Sequence, residues 1–430
     1  MESPTHLPQV KTLQTLALET IITYLHEACQ MDGQDAADHV EKMLDELYRC
    51  ADIDNEMLFL SPALLNQDTL LTTACRTGNT AIVKNLLLRC GEHVSATDSN
   101  EGAVIETSAE IDGYTNPLRL ARMINYVNHD GETALMLACQ KGHVAIIQLL
   151  LGALFAADKR KALNHETKDA YTALMIASRH GDAEIVKVIL DAYADGDRFS
   201  ALNHEDNCGN TTLLIASRWD RTEVVKVILE AYADGDRLSA LNHNDIHGNT
   251  ALMCASRCER SEAIKVILES CPASDRLIAL QQICKAGRTA LFYAVSLGNA
   301  DVVTVLLSAL PSADQVQAIS HIDYDGSKSI TALCVKNYSY TGVYRTKFEA
   351  TIKALFMPLS YSERLSILGY TESDGYTALT PITKLSKNFV MEQLEREAQQ
   401  QYHSSLVPLS IFSRSVSLRL QSDDYTCRIS

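Results

Sequence analysis

One phrase recurs along the middle of the chain with a fixed period, and it limits the fold more than any other feature. The copies read Gly131-Glu-Thr-Ala-Leu-Met-Leu-Ala, Ala170-Tyr-Thr-Ala-Leu-Met-Ile-Ala, Gly209-Asn-Thr-Thr-Leu-Leu-Ile-Ala, Gly248-Asn-Thr-Ala-Leu-Met-Cys-Ala and Gly287-Arg-Thr-Ala-Leu-Phe-Tyr-Ala. Their threonines, Thr133, Thr172, Thr211, Thr250 and Thr289, are each 39 residues apart (172 − 133 = 39). Self-similarity at this period marks a stacked-repeat architecture, in which no single copy can bury its apolar face alone.

Each period contains two apolar helical stripes. Thr172 is placed to cap a helix through Ala173, Leu174, Ile176 and Ala177, and Gly181 ends it. A second helix starts at Asp182 or Ala183, with Ile185, Val186, Ile189 and Leu190 on one side. Asp195-Gly196-Asp197 is expected to break it. Asp197 to Leu202 then predicts an extra helical turn before Asn203, His204 and the next turn at Asn207-Cys208-Gly209.

This pattern resembles the ankyrin repeat: a turn, Gly-x-Thr-Pro-Leu-His-x-Ala, a helix, Gly-x, a second helix and a hairpin with Val-Asn. Gly248 to Ala255 fills the first part, and Leu241-Asn242 matches the Val-Asn. Ala or Thr stands where the family has proline. Met136, Met175, Leu214, Met253 and Phe292 stand where it has the histidine that ties neighbouring repeats, so packing is expected to take over that role. The period also exceeds the usual ~33 residues. The resemblance implies an all-α ankyrin-type solenoid of about seven to eight helix pairs.

Around this block the expected organisation is an N-terminal helical cap over 1–65 and a solenoid over 66–400. Within the solenoid the regular repeats span 129–310, and an insertion interrupts the first connection at 91–115. Degenerate repeats at 321–400 begin at Thr331 and Thr377, the latter with Pro381 inside its first helix. A flexible serine-rich tail is expected over 401–430.

The net charge of −16 argues against nucleic acid and anionic membranes as partners. No run of 18 apolar residues predicts a membrane span, and the start lacks the features of a cleaved secretory signal. The 12 cysteines read as thiols of a reducing compartment, because Cys139 and Cys254 fall inside first-helix phrases.

One constellation carries ligand spacing: His243-x3-His247 followed by Cys254-x3-Cys258. The repeat accounts for two of the four, since His243 is equivalent to His165 and His204 and Cys254 to the apolar Ile176 and Ile215. No zinc and no other cofactor are therefore expected. No phosphate-cradling loop, nucleophile elbow or paired carboxylates stand out, so no enzyme is predicted. The alternative is a catalytic site hidden in the insertion or the C-terminal part, with the repeats recruiting substrate.

The ankyrin resemblance places hairpin tips and first-helix ends on a concave binding surface. By position this face takes Tyr171, Asn210, His247 and Asn249 from the tips, and Arg179, His180, Arg218, Trp219 and Arg257 from the helix ends. Arg179, Arg218 and Arg257 fall in one column, which reads either as a binding feature or as duplicated surface charge offset by Glu166 and Glu205. Trp219 is the sole tryptophan, at a position filled elsewhere by Lys141, His180 and Cys258; an aromatic beside arginine is the composition of an interface hot spot.

The expectation is a monomeric protein-binding scaffold or adaptor. The copies are further similar to those of ankyrin proteins that intracellular bacteria deliver into eukaryotic host cells. That resemblance implies a host protein partner and secretion into the host cytoplasm without a cleaved signal. A cytoplasmic adaptor of a eukaryote is the other localisation.

Overall fold

The computed structural model describes residues 23–25, 27–28, 38–40, 42–43, 68–91, 117–321, 343–360 and 363. All of the insertion 91–115 but its first residue, most of the cap, the starts of the degenerate repeats at Thr331 and Thr377, and the tail lie outside these residues. The chain divides into two compact units, 1–272 and 273–430. All regular structure among the described residues is helical.

In the first unit the helices are α1 (Leu70–Thr77), α2 (Thr80–Gly91), α3 (Pro117–Ile124), α4 (Ala134–Lys141), α5 (Val144–Gly152), α6 (Ala156–Leu163) and α7 (Ala173–His180). There follow α8 (Ala183–Ala192), α9 (Asp195–Leu202), α10 (Thr212–Arg218), α11 (Thr222–Ala231), α12 (Asp234–Leu241), α13 (Ala251–Arg257) and α14 (Ser261–Ser270). First helices α1, α4, α7, α10 and α13 pack in one row, and second helices α2, α5, α8, α11 and α14 in another. The second unit has α15 (Arg276–Gln281), α16 (Ala290–Leu297), α17 (Ala300–Ser308), α18 (Ser312–Ile319) and α19 (Val343–Phe356). There α19 packs on α17, the contact that second helices make between successive copies.

The first helices start where a threonine can cap them. The hydroxyls of Thr69, Thr133, Thr172, Thr250 and Thr289 accept the N–H three residues on. The apolar positions of both helices meet inside the stack. Leu135, Leu174 and Leu213 are buried, as are Ile147, Ile189 and Ile228 from the second row. Each such side chain contributes roughly 2 kcal/mol of burial, and no copy gains it without its neighbours.

The surplus in the 39-residue period is a full third helix and not one added turn. The break falls at Tyr193-Ala194, ahead of the expected Asp195-Gly196-Asp197, which instead forms the first turn of α9. Asp195 and Asp197 suit the positive end of a helix dipole there. The third helices also satisfy the carbonyls left open at the end of the second. Arg198 Nε donates to Leu190 O at 3.2 Å and Arg237 Nε to Leu229 O at 2.9 Å. In the second unit, two periods past Arg237, Gln315 Nε2 donates to Leu307 O at 3.0 Å. Tyr193 and Tyr232 are buried beside these arginines, and Tyr193 donates its hydroxyl to Leu163 O at 3.0 Å.

Packing alone does not replace the absent family histidine. Met136, Met175 and Leu214 are indeed fully buried. A different histidine, just before each turn, rebuilds the hydrogen bond between copies. Nε2 of His165, His204 and His243 lies 3.0, 3.0 and 3.2 Å from the carbonyl oxygens of Gly131, Ala170 and Gly209. His321 makes the same contact with Gly287 O at 3.0 Å in the second unit. The turn carbonyl has no helical partner, and the next copy's histidine is the nearest group able to meet it.

Candidate functional site

The turn tips and the first-helix ends of the first unit lie along the edge of the first-helix row. Each tip is held by one side chain at its base. Asp206 accepts from the backbone N–H of Cys208 and Asn210, both at 2.8 Å, and from the amide of Asn210 at 2.8 and 3.0 Å. Asp245 repeats the arrangement with His247 N–H, Asn249 N–H and the Asn249 amide. Adjacent tips are joined directly: Asn207 N–H donates to Asp169 O at 3.3 Å and Ile246 N–H to Cys208 O at 3.0 Å.

These bonds correct part of the expected face. Asn210 and Asn249 are both 3% exposed, with their amides hydrogen-bonded to Asp206 and Asp245, so they lie inside the turns and not on their surface. Tyr171 is half-buried; burial first, and then the Asp206 charge, push its hydroxyl above the usual tyrosine range. Within the tips, His247 and Ile246 are exposed.

The arginine column does not act as a unit. Arg218 is half-buried and bridges copies: Nη2 donates to Asn210 Oδ1 at 2.9 Å and lies 3.4 Å from Asp245 Oδ2 and 3.7 Å from Cys254 Sγ. It is an internal strut. Arg179 and Arg257 are exposed. Nor do Glu166 and Glu205 offset this column. They lie 3.8 and 3.7 Å from the next copies' His204 and His243.

Trp219 is 45% exposed at the C-cap of α10. The Arg179 guanidinium carbon lies 4.8 Å from the centre of the indole, within the range of cation–π attraction. His180, one residue on, is exposed. Partial burial first, then the charges of Arg179, Arg221 and Lys141, hold its imidazole below the ordinary histidine range. Arg221 Nε in turn donates to Arg179 O at 3.0 Å. The helix ends thus bring Lys141, Arg179, His180, Trp219 and Arg221 together, while Arg257 stands one copy further along. Lys141 and Arg221 were not among the expected site residues. The register does point to Lys141, which precedes His180 by 39 residues and Trp219 by 78, but the contact of Arg221 with Arg179 crosses copies and leaves no spacing signal.

Two of the four zinc-spaced side chains serve other ends. His243 faces Gly209 O, and Cys254 is buried against Arg218. Among the described residues no group of three or more His, Cys, Asp or Glu side chains could hold a metal ion. The eight described cysteines are free thiols. Burial first, and then the neighbouring Cys139, drive the thiol of Cys75 well above the usual range. Among the described residues no helix is long and apolar enough to cross a membrane.

A family model described as ankyrin repeats (3 copies) matches residues 25–154, 118–200, 154–239, 198–277 and 236–318. No curated protein matches the chain. The matches overlap into one run from 25 to 318, in phase with the stacked helix pairs, and the chain belongs to the ankyrin-repeat family.

Proposed function

We propose that the first unit recognises a protein partner through the helix-end row centred on Trp219. Ankyrin repeats are protein-binding scaffolds, and no catalytic family accompanies them here. The observation that carries the reading is the 45% exposure of the sole tryptophan, with Arg179 stacked at 4.8 Å. Large, oriented side chains of this kind dominate interface energies. Arg179, His180, Arg257 and His247 complete the exposed face. We further infer that the protein is a monomeric effector of an intracellular bacterium and that its partner is a host protein met in the host cytoplasm. The near-identity of adjacent copies, as in 193–203 and 232–242, supports this through recent duplication.

Trp219→Ala is the test. It is expected to weaken partner capture by ~2 kcal/mol or more, the loss usual for a truncated anchor. Stability should fall by only ~0.5 kcal/mol, as at other surface positions. Affinity capture from host lysate, alongside thermal unfolding, reads both. Undiminished capture by Trp219→Ala would overturn the assignment of this face. Capture of the same proteins from any lysate, with none specific to host cells, would overturn the effector reading.

A further inference from the structure

The reading of Trp219 as an anchor leaves open what kind of segment it anchors, and the charges around it bear on that. The chain carries −16 overall, with 54 acidic residues against 38 basic ones. Yet three cations, Lys141, Arg179 and Arg221, gather with His180 at the helix ends of adjacent copies. Lys141, Arg179 and His180 are exposed, and Arg221 is partly so. Among the described residues none of the four is in an ion pair. The nearest carboxylates in sequence are engaged elsewhere. Asp182 caps α8, accepting from Glu184 and Ile185 N–H at 3.0 and 3.2 Å. Asp220 lies 3.6 Å from Arg260.

The geometry around Arg179 favours carboxylates in particular. Its guanidinium lies over the indole of Trp219, which orients the planar fork without using its N–H donors. A guanidinium held in this way presents an edge suited to bidentate contact with a carboxylate. Lys141 and Arg221 supply further positive charge on the flanks, and the exposed indole supplies an apolar surface. Remote acidic residues do not cancel this cluster, because at about 0.1 M salt charges more than ~10 Å away are largely screened.

We propose that the row formed by Lys141, Arg179, His180, Trp219 and Arg221 binds an acidic linear segment of a protein partner, with aspartate or glutamate side chains on the cations and an apolar residue against the indole. This rests on the assignment of Trp219 as an anchor and names the chemistry of what it holds.

The test uses the full chain and a fluorescein-labelled peptide rich in aspartate and glutamate with one phenylalanine. Anisotropy reports binding, and the emission of Trp219, the sole tryptophan, reports its place. The acidic peptide should bind and shift that emission, while the same peptide with lysine in place of its acids should not bind. Lys141→Glu should weaken binding about tenfold, since reversing a flanking charge turns attraction into repulsion. Lys265→Glu, on α14 and outside the row, should leave it unchanged. Helicity by circular dichroism confirms that each variant is folded. Equal binding by the lysine peptide, or indifference to Lys141→Glu, would overturn the proposal. So would binding confined to a phosphoserine version of the peptide or to a single-stranded oligonucleotide. If the acidic peptide fails while Trp219→Ala still abolishes partner capture, the charge inference falls and the binding face stands. If Trp219→Ala leaves capture intact as well, both fall.

Discussion

Within the first unit the first helices close in two ways. Copies ending at Gly78, Gly142 and Gly181 run eight residues and stop on a left-handed glycine. The copies built on α10 and α13 run seven and place Trp219 and Cys258 at the C-cap. Asp220 and Glu259 then take the left-handed position, with φ of 60° and 64°. The difference lies in what the next copy can do. A Cβ at Gly78 would come within 2.4 Å of the His143 ring, so the missing side chain is what allows His143 to lie against the backbone. At Asp220 the side chain is present, and Arg260 meets it as an ion pair instead. At Asp220 the acidic closure therefore accepts a left-handed backbone at a residue with a side chain, and meets the next copy through an ion pair. In the same copy the chain leaves the helix one residue early, and the indole of Trp219 emerges at the edge.

The largest expected effect separates two glycines of the same conformation. Gly78→Ala combines the left-handed penalty of ~1–2 kcal/mol with displacement of the His143 ring from the backbone, and should cost ~2–3 kcal/mol. Gly142 has φ of 82°, as Gly78 does, but no neighbour within 4 Å of an added Cβ. Gly142→Ala should cost only ~1 kcal/mol, the backbone term alone. Equal losses in urea melts of the two variants would show that close approach between copies does not distinguish them.

Smaller is the gain expected from Thr212→Ala. Thr212 opens α10 where the other regular copies have alanine, and its buried hydroxyl has no hydrogen-bond partner. Removing that group should stabilise the protein by ~1 kcal/mol. A lower melting temperature would mean that the hydroxyl is satisfied.

The smallest is Asp220→Gly. Relief of the left-handed conformation, less the greater entropy of glycine in the unfolded chain and the loss of a weak exposed ion pair, leaves a gain of ~0.5 kcal/mol. A loss of stability would show that the Arg260 contact outweighs the strain, and the two closures would then be energetically alike.

Much of the architecture was legible because a repeat tests its own reading. Thr133, Thr172, Thr250 and Thr289 recur at the cap position, where a side-chain oxygen meets the open N–H of the first turn. The stripes Ile185–Leu190 and Val224–Leu229 keep helical spacing in phase. Spacing alone makes the third helix too short, because Asp-Gly-Asp is a turn signal in isolation. Its identity as a first turn depends on Arg198 reaching back to Leu190 O, a contact that local propensity does not register. Asn210 and Asn249 looked like surface polar residues. Asp206-x-x-x-Asn210 was nonetheless a visible pattern, and an Asp four residues before an Asn across a glycine turn is able to bury both.

From its sequence alone the chain determined the repeat, its period, the caps of the first helices and the apolar rows, because these follow from spacing along one strand of covalent structure. Which polar side chains face solvent was decided only in three dimensions. Arg179 and Arg218 occupy the same position 39 residues apart, yet one is exposed against an indole and the other is a strut between Asn210 and Asp245. The reason is that the fate of a long charged side chain depends on its partners in the adjoining copies. Tyr171 and Trp219 stand near Arg179, whereas Asn210, Asp245 and Cys254 surround Arg218, and only stacking brings those groups within reach.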